Sequence, residues 1–101
     1  MKKSYLLLYS SRFGTTDEVR DWVDSVNIIT DWRIQLPQCI FLISESSAEE
    51  IYDKLAEVSE KETGTMLIVE YSKNSQGRLN DKSWHLLEHK KRKPDSESSR
   101  M

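Results

Sequence analysis

The stretch Cys39-Ile40-Phe41-Leu42-Ile43 is apolar at every position, and an extended chain sends consecutive side chains to opposite sides. Such a strand needs cover on both faces, so the run predicts a central strand of a sheet. Around it, apolar runs and turn signals divide residues 4–71 into strand, helix, strand, strand, helix and strand. No internal repeat or low-complexity stretch points to a solenoid.

Ser4 to Tyr9 reads as the first strand. In the loop from Ser10 to Thr16, Gly14 permits a turn, and Thr15 or Thr16 is placed to cap the next helix. That helix runs to about Val26, with Val19, Trp22, Val23 and Val26 on one stripe and Asp17, Glu18 and Asp21 in its opening turns. Asp31 to Leu36 alternates polar and apolar residues and stops at Pro37, the pattern of an edge strand with one wet face. After the central strand, Ser46 or Ser47 caps a second helix, with Glu49 or Glu50 completing a capping box. Its buried stripe reads Ala48, Ile51, Tyr52, Leu55 and Val58. Gly64 closes a turn, Met66 to Tyr71 forms the last clear strand, and a polar loop leads to the apolar cluster Trp84-His85-Leu86-Leu87.

This order predicts an α+β fold, a ferredoxin-like βαββαβ sandwich with four antiparallel strands and two helices on one face. Residues 1–89 form the domain, and residues 90–101 are expected to be a disordered basic and polar tail. The other face of such a sheet exposes large side chains, which marks an interface. A homodimer interface is expected from the first strand, the last strand and the segment around Trp84, with Tyr5, Leu7, Tyr9 and Trp84 as its residues.

The chain has 101 residues, 37% hydrophobic and 32% charged, enough for one domain. No apolar run approaches the roughly 20 residues of a spanning helix, so no membrane partner is expected, and a soluble, cytoplasmic protein follows. The single cysteine, Cys39, has no partner for an internal disulfide and reads as a small core side chain. Residues 1–89 hold 10 Lys/Arg and 15 Asp/Glu, a net of −5, while residues 90–101 hold 5 and 2, a net of +3. An acidic body repels phosphate backbones, so nucleic-acid binding would fall to the cluster Lys90, Lys91, Arg92 and Lys93.

Several constellations suggest chemistry. His85-Leu86-Leu87-Glu88-His89 spells the inverted zinc-peptidase motif H-x-x-E-H, but only Asp95 and Glu97 follow as further ligands, both in the tail. Tyr5, Tyr9 and Phe41 would stack bases if they projected from an open sheet face, yet the strands lack the glycine-aromatic signature and flanking basic residues of RNA-recognition modules. Cys39 with a histidine, or Ser10 or Ser11 with a histidine, has no spacing that supports nucleophilic catalysis.

The spacing of Asp31-Trp32 before Leu36-Pro37, of Ile40-Phe41-Leu42-Ile43 before Ser47-Ala48-Glu49-Glu50-Ile51, of Leu67-Ile68-Val69-Glu70, and of Gly77-Arg78-Leu79 before Trp84 resembles the SinR-like small bacterial proteins. These share a broad superfamily with the small CRISPR-associated adaptor protein. The resemblance covers roughly residues 4–88 and implies a dimer of ferredoxin-like protomers. It also raises metal-dependent nuclease activity, in which an aspartate ending the first strand of each subunit holds a divalent ion. Here Tyr9-Ser10-Ser11 stands at that position, without the carboxylate. The expectation is therefore a non-catalytic dimeric interaction or regulatory protein without cofactor. The alternative is a metal-dependent nuclease, with magnesium held by Glu70 or Asp17, or an RNA-binding protein.

Overall fold

The computed structural model describes residues 1–60 and 63–92. The apolar runs form β1 (Lys3–Tyr9), β2 (Ile29–Leu36), β3 (Cys39–Ser44) and β4 (Met66–Glu70). They build a small α+β structure around one antiparallel sheet of strand order β2-β3-β1-β4. The all-apolar run lies in β3, which is inside the sheet and buried at all six positions. β2 is at an edge, as its alternation predicted, though it starts two residues before Asp31 and carries irregularities between Ile29 and Asp31 and between Ile34 and Leu36.

Between the strands run helices α1 (Thr16–Ser25) and α2 (Ala48–Ser59), each opened by a complete capping box. The Thr15 side chain accepts the Glu18 N–H while the Glu18 carboxylate accepts the Thr15 N–H. Ser47 and Glu50 repeat the arrangement, so four otherwise orphaned donors are satisfied. These bonds to Ser47, the backbone one foremost, hold the Glu50 carboxyl below its ordinary range, with a smaller contribution from the Lys3 charge.

Val19 and Val23 of α1 and Ile51 and Leu55 of α2 share one core with Tyr5, Leu7 and Tyr9 of β1 and Ile40 and Leu42 of β3. Trp22 meets the Phe13 ring edge-on at 5.2 Å and closes one end of this layer. Tyr52, expected in the α2 stripe, is exposed instead, and Ser59 takes a buried place. Gly64 adopts φ +87°, and a Cβ there would lie 2.3 Å from the Phe13 amide nitrogen, so this turn admits only glycine.

The cluster around Trp84 is a third helix, α3 (Asp81–His89), which the two-helix expectation leaves out. Asn80 caps it by accepting the Ser83 N–H, and Lys90 ends it in a left-handed conformation, donating its N–H to the Leu86 carbonyl. Leu86 and Leu87 pack on Cys39, Phe41 and Ile43, the β3 residues that the first core does not use. The buried Ser4 hydroxyl fastens this helix to β1 by donating to the Leu87 carbonyl at 2.6 Å. Arg33 donates to the buried Ser83 hydroxyl at 2.9 Å from the β2 side. No helix among the described residues is long and apolar enough to cross a membrane.

The expected disordered tail begins at Lys90, yet Lys90 caps α3 and Arg92 pairs with Asp31 at 2.7 Å. The part of that expectation covering 93–101, Lys93 included, lies outside the described residues.

Candidate interaction surface

Strand parity decides which side chains α3 can cover. On its side of the sheet, the registers line up Leu36, Cys39, Leu8 and Leu67 as one row across all four strands. The next row is Arg33, Phe41, Leu6 and Val69. α3 buries the middle of these rows and stops short of their ends. Leu67 is 58% exposed, and Leu36, Val69 and Leu8 are about two-fifths exposed. The result is an apolar strip at the β4 side of the sheet, with Leu36 at the far end of the row.

β4 also has a free edge among the described residues, where β1 is its one strand neighbour. Five residues long, it reads Met-Leu-Ile-Val-Glu and contains no proline or lysine, two devices that ordinarily blunt a sheet edge. Met66 and Ile68 turn toward the α1–α2 core, and Leu67 and Val69 face the other way.

The expected interface residues lie elsewhere. Tyr5, Leu7 and Tyr9 are buried in the chain's own core beneath α1 and α2, because the helices cover the odd-numbered side of β1. Burial raises the pKa of the Tyr5 hydroxyl above its ordinary value, and the Glu70 and Glu50 carboxylates add to the effect. The hydroxyl itself donates to the Ser46 carbonyl at 2.6 Å. Phe41, the third ring considered for base stacking, is covered by α3. Trp84 is half-buried and lines an open cleft of about 880 Å³ with Glu70, Tyr71, Lys73, Glu88 and Lys90.

The two carboxylates considered for magnesium do not meet within the chain. Glu70 stands opposite Tyr5 near the start of β1, while Asp17 is in the first turn of α1, beyond the far end of β1, and pairs with Arg20 at 3.3 Å. The four residue steps from Tyr5 to Tyr9 alone separate these ends by about 13 Å. Ser10, at the strand end where the resemblance places an aspartate, has a local task. Its N–H donates to the Thr65 carbonyl, and its hydroxyl accepts the Thr65 N–H at 2.9 Å, pinning the turn before β4.

Of the basic cluster, Lys90 and Arg92 take part in the contacts described above, and Lys91 is exposed. Cys39 is buried, which pushes its thiol up and away from the reactive thiolate. Among the described residues, no three His, Cys, Asp or Glu side chains converge as a metal site, so Glu88 does not join the two histidines of the H-x-x-E-H stretch.

The last strand is expected at the interface from sequence, but Leu67 and Val69 within it, and Leu8 and Leu36 beside them, are not among the interface residues the sequence points to. The signal that reveals them is Asn80-Asp81 ahead of Trp84-His85-Leu86-Leu87, a cap and an acidic first turn that mark a short helix. Compared with protein-family models, curated proteins and solved structures, the chain matches none.

Proposed function

We propose that this chain is a ferredoxin-like interaction protein that forms a homodimer through the outer edge of β4, and that association rather than catalysis is its role. The ferredoxin-like reading is supported by the strand order β2-β3-β1-β4, by antiparallel pairing throughout, and by α1 and α2 sharing one core. The resemblance to the SinR-like proteins points the same way.

The observation that carries the dimer is the exposed apolar edge of β4. Paired antiparallel with a second copy about Ile68, the strand is self-complementary: Leu67 of each copy meets Val69 of the other, and Glu70 meets Met66. The two Glu70 carboxylates therefore avoid one another, and the two apolar strips join on one side of an eight-stranded sheet. Two-fold symmetry of this kind is the commonest form of oligomer. Five paired residues make a small contact, so the dimer is concentration-dependent rather than permanent.

Sedimentation velocity across a concentration series tests this. The double variant Leu67→Lys/Val69→Lys changes only exposed positions, and it sets ammonium groups opposite each other at two cross-strand pairs. It is expected to weaken the dimer by roughly 1–2 kcal/mol, about 5- to 30-fold. A natural chain that stays monomeric at every concentration would refute the proposal, as would a dimer that the double variant leaves intact.

A further inference from the structure

The pair His85 and His89 is unused by the fold and by the proposed dimer. The two residues are four apart on α3, which places their rings on one face of the helix. The ring centroids are 4.5 Å apart and the planes are inclined by 38°. The His85 Nε2 is buried from water and has no hydrogen-bond partner. A buried polar atom left without a partner costs free energy, and one in a native fold calls for an explanation.

We infer that His85 and His89 form a two-imidazole site for a borderline divalent transition cation of the nickel, copper and zinc class. A metal–nitrogen bond of about 2.1 Å plus the ring radius sets each centroid about 3.2 Å from the ion. Two ligands at a right angle then have centroids about 4.5 Å apart, and two at the tetrahedral angle about 5.2 Å. The observed centroid spacing of 4.5 Å matches two ligands in cis on a square-planar or octahedral ion, the geometry favoured by copper and nickel among imidazole-binding metals. Zinc needs the rings to part by less than 1 Å. Neutral imidazole is a poor partner for a hard ion such as magnesium, which prefers oxygen ligands.

The ion would occupy the side of the His85 ring that carries the unpaired Nε2, with His89, which is exposed, free to adjust. Water would complete the coordination shell from the solvent side, past the exposed His89, because no third protein ligand converges there among the described residues. The site is thus distinct from a peptidase centre even though it uses two residues of the H-x-x-E-H stretch. It is also separate from the cleft beside it, which Glu88 lines and neither histidine does.

Calorimetric titration of the full, untagged chain with nickel alone, copper alone and zinc alone, each against magnesium, tests the inference. Saturable binding of one ion per chain is expected for the three transition metals and none for magnesium. The imidazole ring protons of both histidines should shift in step with the calorimetric curve. His89→Ala alters an exposed position and should keep the fold, as checked by circular dichroism, while weakening the affinity at least about tenfold. His85→Ala should do the same. Absence of saturable binding would overturn the inference, and so would binding that survives both substitutions or leaves the ring protons unmoved.

Discussion

The sheet ends in two edge strands that are finished in opposite ways. β2 is broken by irregularities at both ends and alternates polar with apolar residues. Its outer side is occupied: Arg92 pairs with Asp31, and the Arg92 guanidinium donates to the Trp32 carbonyl at 3.4 Å. β4 has five regular residues, exposes Leu67 and Val69, and carries a single charge at its last position. Bulges and charge are the means by which folded chains keep a sheet from growing. β2 uses both devices and β4 only the charge of Glu70, which leaves β4 the less guarded edge and the one proposed to receive a second copy.

Substitutions can break or sharpen this contrast. The largest effect should come from α3, which separates the covered part of the sheet from the strip near β4. Leu86→Ala removes a side chain that is 1% exposed and should cost about 2–5 kcal/mol of stability. Equilibrium urea unfolding measures it, and a loss below 1 kcal/mol would mean that α3 is not docked as described. Ser4→Ala should cost about 1–3 kcal/mol in the same assay, because it leaves the Leu87 carbonyl without its buried donor.

Arg92→Ala acts on the guarded edge. Its side chain is 70% exposed, so the stability change should stay below about 1 kcal/mol. Its consequence is for specificity: with the Trp32 carbonyl freed, species larger than a dimer should appear in light scattering at high concentration. A variant that associates just as the natural chain does would show that Arg92 has no guarding role.

The smallest effect is a control on the α2 capping box. Because the folded Glu50 carboxyl is held below its unfolded value of 4.5, its contribution is fully present above that pH and is lost as pH falls through the lower folded value. Glu50→Gln should flatten this part of the acid unfolding curve without altering association at neutral pH. An unchanged acid limb would remove the capping box as its source.

The legibility of these features in the sequence follows from their physics. β3 is evident because an all-apolar run has one stable place, and α1 and α2 are evident because caps and 3.6-residue periodicity coincide at Thr15 and Ser47. The free surface is not evident, since strand alternation sorts β1 into two sets of side chains without saying which set the helices take. Tyr5, Leu7 and Tyr9 look as suited to an interface as Leu8 does until α1 and α2 are placed over them. α3 is harder still: nine residues give little more than two turns, and its buried pair Leu86-Leu87 is too short to establish a period. The ring contact between His85 and His89 depends on that helix and is hidden with it.

Amide hydrogen exchange compared between the two edge strands tests the central claim most directly. With the natural chain measured from dilute to concentrated solution, the outward-facing amides of β4 should become more protected as concentration rises, while those of β2 should not change. Protection in β4 that stays constant across the series, or a concentration-dependent gain in β2 instead, would contradict the assignment of β4 as the edge that receives a second copy.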